Sequence, residues 1–237
     1  MTAHDKVPTL YLSAPHACPY LEDQIATTLL VDPHFTVTTP LYSTLIKQGF
    51  RRSGSLFYRP HCERCSACVS VRIPTSAFEP SRSQQRVWKR NHDLKVQCAP
   101  PSFHKEHFDL YQHYQSARHT GGNMDDPDPE KYNEFMVESG VDSFFIEMRL
   151  QEQLAAVAVC DRIADGISAI YTFFDPNLSQ RSLGTFAILW QIEHAKTLNL
   201  PWVYLGYWIK NCNKMSYKDN FRPLQGFRNG RWLTHPE

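Results

Sequence analysis

The chain is expected to be α+β, with a larger helix-and-strand unit in its C-terminal part and a smaller, irregular unit before it. Two observations carry this. Beyond residue 101 the apolar pattern runs helix, three short-turned strands, helix, strand. Upstream the chain is marked by proline and cysteine and has few long periodic segments. Between the two, Cys98-Ala99-Pro100-Pro101-Ser102 has the character of a linker, which divides the chain into residues 1–100 and 101–237. Either unit is large enough to bury a core.

In order, Met1 to Pro8 carries no charged-then-apolar targeting pattern. Tyr42 to Lys47 and Leu56 to Tyr58 are short elements flanking a turn bounded by Gly49 and Gly54, and Val69 to Ile73 is a strand stopped by Pro74. Lys105 to Arg118 is a helix on the spacing of Phe108, Tyr111 and Tyr114. Gly121-Gly122 and Asp125 to Pro129 are loop, and Glu130 to Glu138 is a further helix. Ser143 to Arg149, Gln153 to Asp161 and Gly166 to Phe174 form an antiparallel meander, closed by Asp175-Pro176. Leu183 to Leu198 is a strongly apolar helix, and Trp202 to Gly206 is the next strand. The longest apolar runs, such as Leu154 to Cys160, are strand-sized, well short of a membrane span.

This order resembles the acyltransferase fold of the GCN5-related N-acetyltransferases. In that fold a helix start holds the donor's phosphates. The corresponding turn here is Gln180-Arg181-Ser182-Leu183-Gly184-Thr185-Phe186, where Arg181-x-x-Gly184 matches the first part of the family's pyrophosphate loop. Phe186 replaces its second small residue and obstructs close backbone approach, which argues against a coenzyme A donor.

Charge is nearly balanced at +1 for the whole chain but is segregated along it. Lys47 to Lys95 holds eleven Lys and Arg against three acids, Glu106 to Asp165 four against thirteen, and Lys210 to Arg231 six against one. Segregation of this kind suits a basic surface for a polyanion, or two halves that attract one another. Arg82, Arg86, Lys89, Arg90 and Lys95 surround Trp88 on an amphipathic segment that fits RNA backbone contact or a solvated helix face equally well. Seven cysteines, an odd count with three at Cys62, Cys65 and Cys68, fit a reducing cytoplasm better than a secreted disulfide framework.

The segment from Tyr204 to Lys218 starts as a buried strand, breaks at Gly206, and then combines four aromatics with three lysines. Packing alone asks for no lysines; an anionic partner with flat groups, such as an RNA end, asks for both. This block, with Phe221-Arg222-Pro223 after it, resembles the C-terminal signature of the aminoacyl-tRNA–protein transferases. Tyr42-Ser43-Thr44-Leu45-Ile46-Lys47-Gln48-Gly49-Phe50-Arg51-Arg52-Ser53-Gly54, then Tyr58-Arg59-Pro60 and the cysteine cluster, resembles their N-terminal region. The form is similar to the short bacterial aspartate/glutamate leucyltransferase branch of the arginyl-tRNA–protein transferase family. The resemblance implies transfer of Leu from Leu-tRNA to an N-terminal Asp or Glu, marking the acceptor protein for degradation. Cys18-Pro19-Tyr20-Leu21 departs from the eukaryotic relatives, keeping only the first cysteine of a Cys-x-x-Cys pair.

Such a transfer needs little acid–base chemistry. An N-terminal amine has a pKa of about 7.7–8.0 and the donor ester is already activated. Positioning contributes on the order of 7–11 kcal/mol, more than a typical general base. No catalytic triad or obligatory general base is expected, and no cofactor is required for the transfer. Arg51 and Arg52, with Ser53 and Tyr58, are the expected acceptor-binding set, because a carboxylate asks for a guanidinium. Lys210, Lys214, Lys218, Arg222 and Arg181 are expected on tRNA phosphates, and Tyr207, Trp208 and Tyr217 in the pocket. Cys18, Cys62, Cys65 and Cys68 have the density for a structural zinc or an iron–sulfur cluster. The donor side leaves Leu or Arg open, since Asp125, Asp126 and Asp128 supply acids for an arginine pocket. A coenzyme A-dependent N-acetyltransferase and a zinc-containing RNA-binding module without catalysis are the competing readings.

Overall fold

The computed structural model describes residues 7–118 and 128–234. The loop expected at Gly121-Gly122, with Asp125 and Asp126, lies outside them. The chain begins with β1 (Leu10–Leu12), a small ribbon of β2 (His16–Ala17) and β3 (Ile25–Ala26), β4 (Thr28–Val31) and α1 (Thr39–Lys47). The hairpin β5 (Arg51–Ser53) and β6 (Leu56–Pro60) completes a four-stranded antiparallel sheet in the order β1-β4-β6-β5. Then come β7 (Val69–Pro74), α2 (Arg82–Arg90), β8 (Leu94–Ala99) and α3 (Lys105–Arg118). The short α4 (Pro129–Tyr132) runs on as a π turn over Asn133–Val137, so the helix expected from Glu130 to Glu138 is only partly α. Its N-cap is Asp128, whose side chain accepts from the Glu130 N–H at 2.9 Å.

β9 (Ser143–Leu150), β10 (Gln153–Ile163) and β11 (Gly166–Phe174) form the expected antiparallel meander. The rest of the chain is α5 (Leu183–Thr197), β12 (Trp202–Trp208), α6 (Asn213–Ser216) and the hairpin β13 (Gln225–Arg228) and β14 (Arg231–Thr234). β12 pairs parallel with β11, which requires a crossover, and α5 supplies it. The large sheet has the order β14-β13-β7-β12-β11-β10-β9-β8.

That order departs from the expected division at residue 100. β7 and β8 come from the first hundred residues, yet both are strands of the large sheet. β8 also occupies part of the segment expected to be a linker. It is a largely exposed edge strand with a thin apolar signal, and Pro100-Pro101 ends it by removing ladder donors.

The core explains the sequence pattern. Ala156, Ala158 and Cys160 of β10 pack with Leu183, Ala187 and Ile192 of α5, while Val157 and Val159 pack with Phe108 and Tyr111 of α3 on the opposite face. A strand buried on both faces reads as a continuous apolar run, which is what Leu154 to Cys160 shows. A third cluster, with Tyr42, Ile46, Phe50, Phe57 and Tyr204, fixes α1 and the small sheet against the large one.

Candidate functional site

β5 places its two arginines on opposite sides, as strand alternation requires. Arg52 enters the interior: its Nε donates to Asp161 Oδ2 at 2.7 Å, its Nη2 to Asp161 Oδ1 and Ser143 Oγ, and its Nη1 to Gly54 O at 3.1 Å. Both side chains of this ion pair are 0% exposed. The expectation that Arg52 binds the acceptor is therefore corrected: its guanidinium is the counter-ion of a buried carboxylate. Ser53 is exposed at the end of β5.

Arg51 has the contrary environment. It is 5% exposed, its Nη2 donates to Ala169 O, and its Nη1 is buried with no partner. Among the described residues no carboxylate stands in ion-pair range of it. A buried guanidinium without a counter-ion is costly and asks for an anion. Arg51 packs against Gly206, which adopts φ +83°, a conformation that favours glycine, and where a Cβ would be in contact with Arg51 Nη2 at 3.4 Å. Facing Arg51 across β5 and β6 is Tyr58, its partner in register. The Tyr58 ring lies 6.1 Å from that of Tyr207, whose hydroxyl donates to Gly49 O at 2.9 Å and to Tyr58 O at 3.2 Å.

Lys218 lies beneath this arrangement rather than on the surface. It is 6% exposed and its Nζ donates to Tyr207 O and towards Met215 Sδ at 3.3 Å. Burial first, and then the Arg51 charge, brings its ammonium down to about 7. Its expected role on tRNA phosphates is corrected for the same reason: the amine is enclosed. Burial likewise pushes Tyr58 up, and Tyr207 well up, so both phenols stay protonated donors.

A cavity of about 520 Å³ opens beside these residues, between the β2–β3 ribbon, the cysteine loop, β6 and β12. Tyr58, Tyr207 and Ser70 line it, as do Cys18, Cys62, Cys65 and Cys68. Ser70 is 3% exposed and its Oγ has no hydrogen-bond partner. Trp208 is buried with an unpartnered Nε1, and Tyr217 is exposed.

The remaining basic residues divide. Lys210 and Lys214 are exposed after β12. Arg222 pairs with Asp219 at 2.6 Å, and Arg181 makes a two-pronged pair with Asp93 at 2.8 and 2.9 Å. Arg181 is thus neutralised at the turn before α5, and Phe186 is buried in the core.

Residues 16–86 match the family description "Arginine-tRNA-protein transferase, N terminus", and residues 106–228 match "Arginine-tRNA-protein transferase, C terminus". The chain belongs to this family. Among curated relatives, an aspartate/glutamate leucyltransferase of Hahella chejuensis is 50% identical over 94% of this chain and 96% of its own length. One of Nitrosococcus oceani is 53% identical over 94% of both chains, and one of Pseudomonas syringae pv. syringae is 50% identical over 94% and 95%. Among solved structures, the C-terminal domain of a putative lysylphosphatidylglycerol synthetase from Agrobacterium fabrum aligns at 13% identity and TM-score 0.45, over 71% of this chain and 51% of that one.

Within this family member, the four cysteines share one cavity wall but do not close into a ligand set: among the described residues no three His, Cys, Asp or Glu side chains are arranged to hold a metal ion. Burial, with Cys18, Cys62 and Cys65 as neighbours, pushes the Cys68 thiol up to about 12. Sequence reasoning missed Asp161 and Ser70. Asp161 had a signal, as the one acid ending the apolar run of β10; Ser70, between Val69 and Val71, had none.

Proposed function

We propose that this chain transfers leucine from Leu-tRNA to the amine of an N-terminal Asp or Glu, marking the acceptor for degradation, in the cytoplasm where charged tRNA is made. Relatives of that name, half-identical over nearly the whole length, support the donor and the acceptor. The buried guanidinium of Arg51, with Nη1 unpartnered and no carboxylate in range among the described residues, carries the reading at the level of the site, because an acidic acceptor side chain is the anion it lacks. Tyr58 and Ser70 offer hydroxyls in the adjoining cavity. In the reaction the neutral amine attacks the ester carbonyl, the C–N bond forms, the C–O bond to the terminal ribose breaks, and the ribose oxygen takes up the proton the amine loses. The strand–helix–strand order from β9 to β12 supports an acyltransferase-like arrangement related to the N-acetyltransferases.

A structural zinc or iron–sulfur cluster would draw its ligands from Cys18, Cys62, Cys65 and Cys68; the Cys62-x-x-Cys65-x-x-Cys68 spacing supports this, and the thiols as placed do not converge.

The deciding experiment presents labelled Leu-tRNA and, in parallel, Arg-tRNA with peptides beginning in Asp, Glu or Ala. Leu on acidic N-termini alone is expected. Arg transfer would overturn the donor, and transfer from neither would favour a non-catalytic RNA-binding module.

A further inference from the structure

The nine residues of α2 carry four cations and no carboxylate. Their helix is firmly set. The Ser81 hydroxyl accepts from the Gln84 N–H at 3.4 Å, and the Gln84 side chain accepts from the Ser81 N–H at 2.8 Å. Gln84 and Val87 face inward, and Asn91 just past the helix end ties it to the Arg181 carbonyl at 2.8 Å. With 3.6 residues per turn, Arg82, Arg86 and Lys89 fall together on the opposite, exposed stripe. Among the described residues their side chains make no ion pair or hydrogen bond.

A solvated face normally interleaves acids with bases, and like charges four apart destabilise a helix. Here Arg82 repels Arg86, and Arg86 repels Lys89 and Arg90; the helix C-terminus favours Lys89 and Arg90, and Arg90 donates to the Gln180 carbonyl, but among the described residues no carboxylate pairs with Arg82, Arg86 or Lys89. Trp88 adds an aromatic surface, 39% exposed, with its ring centroid 5.4 Å from that of Phe186. The helix also adjoins the C-terminal signature: Gln84 Nε2 donates to Asn220 O at 3.0 Å, two residues beyond Lys218. Lys210 and Lys214 are exposed on that same segment.

We infer that the exposed face of α2 docks the phosphate backbone of the aminoacyl-tRNA, with Arg82, Arg86 and Lys89 on neighbouring phosphates and Trp88 beside them. The inference rests on the transfer reading above, which supplies the RNA. The three cations stand about 6 and 4.5 Å apart along the helix axis, within reach of adjacent phosphates for side chains of this length. Contacts of this kind carry no sequence information; they set affinity and orientation.

The test is binding of purified Leu-tRNA across a salt series by wild type, by Arg82→Gln/Arg86→Gln/Lys89→Gln, and by the charge-keeping Arg82→Lys/Arg86→Lys/Lys89→Arg. The neutral variant is expected to lose about two to three units of slope in log K against log salt, and about tenfold or more in affinity near 0.1 M salt. The charge-keeping variant is expected to retain the wild-type slope. Should the triple variant unfold, Arg86→Gln and Lys89→Gln singly are each expected to lower the slope by about one. An unchanged slope and affinity in the neutral variants would overturn the inference. So would weakened binding of an acidic acceptor peptide with tRNA binding intact, which would make this a protein-docking face. Failure of the wild type to bind Leu-tRNA at all would instead bring down the transfer reading, and this inference with it.

Discussion

The guanidinium of Arg51 packs against the backbone of Gly206, so closely that a Cβ there would stand 3.4 Å from Arg51 Nη2. Two elements remote in sequence, the β5 strand and the point where β12 leaves its ladder register, thus set one cation. Gly206→Ala is expected to force a left-handed backbone on an L residue, at a cost of about 1–2 kcal/mol, and relief of that strain shifts the backbone against which Arg51 packs. Thermal unfolding should show the loss of stability, and KM for peptides beginning in Asp should rise. Normal acceptor KM in a folded Gly206→Ala protein would separate Arg51 from acceptor recognition.

Arg51→Met removes the guanidinium and leaves the packing volume. A hydrogen bond to a charged group contributes about 1.5–3 kcal/mol, so kcat/KM for Asp and Glu N-termini is expected to fall roughly 10- to 100-fold. Peptides beginning in Asn or Gln should be affected far less. The measurement is the ratio of the two kcat/KM values in wild type and variant; an unchanged ratio would remove Arg51 from the acceptor site.

The neighbouring arginine should behave in the opposite way. Arg52→Gln leaves Asp161 charged and enclosed, and breaking a buried pair by removing one partner costs on the order of 3–5 kcal/mol. Urea unfolding is expected to show this loss, and Arg52→Leu/Asp161→Leu is expected to recover much of it. A double variant as unstable as the single one would mean that the pair holds the fold through more than charge compensation.

Lys218 gives the stability a pH dependence. Its folded pKa is about 7, against 10.5 for the unfolded side chain. Below pH 7 both states are protonated and the full cost of the buried charge is felt. Between about 7 and 10.5 the unfolded chain holds a proton that the folded one has released, so stability rises with pH. The slope from this one group is at most about 1.4 kcal/mol per pH unit. Lys218→Met lacks the rise, so it is expected to be favoured over wild type at pH 6 and to lose that advantage by pH 9. Parallel stability curves over this range would show that the amine does not titrate there.

Much of the architecture was legible in the chain. The meander, α3, α5 and β12 are long and periodic, and each was recoverable from apolar spacing. β8 was not, because an exposed edge strand carries little apolar signal. The site was legible by motif but not by orientation. Arg51-Arg52 announced itself as a pair, yet alternation along β5 sends one to Asp161 and leaves the other, among the described residues, without a carboxylate partner. Lys218 has the local sequence of a surface lysine, and only the packing of the 3₁₀ turn over Tyr217–Asn220 against β12 encloses it. Residues far apart in sequence decide both outcomes, and a linear pattern does not contain them.

The interleaving of β7 between β12 and β13 has an evolutionary consequence. Although the two family segments follow one another in the chain, over residues 16–86 and 106–228, neither is a portable module. A fragment ending after α2 would leave β7 without its neighbours, and one beginning at α3 would open a gap between β12 and β13. The two segments are therefore expected to be inherited together, and recombination between relatives should succeed by exchanging whole chains or surface loops rather than halves.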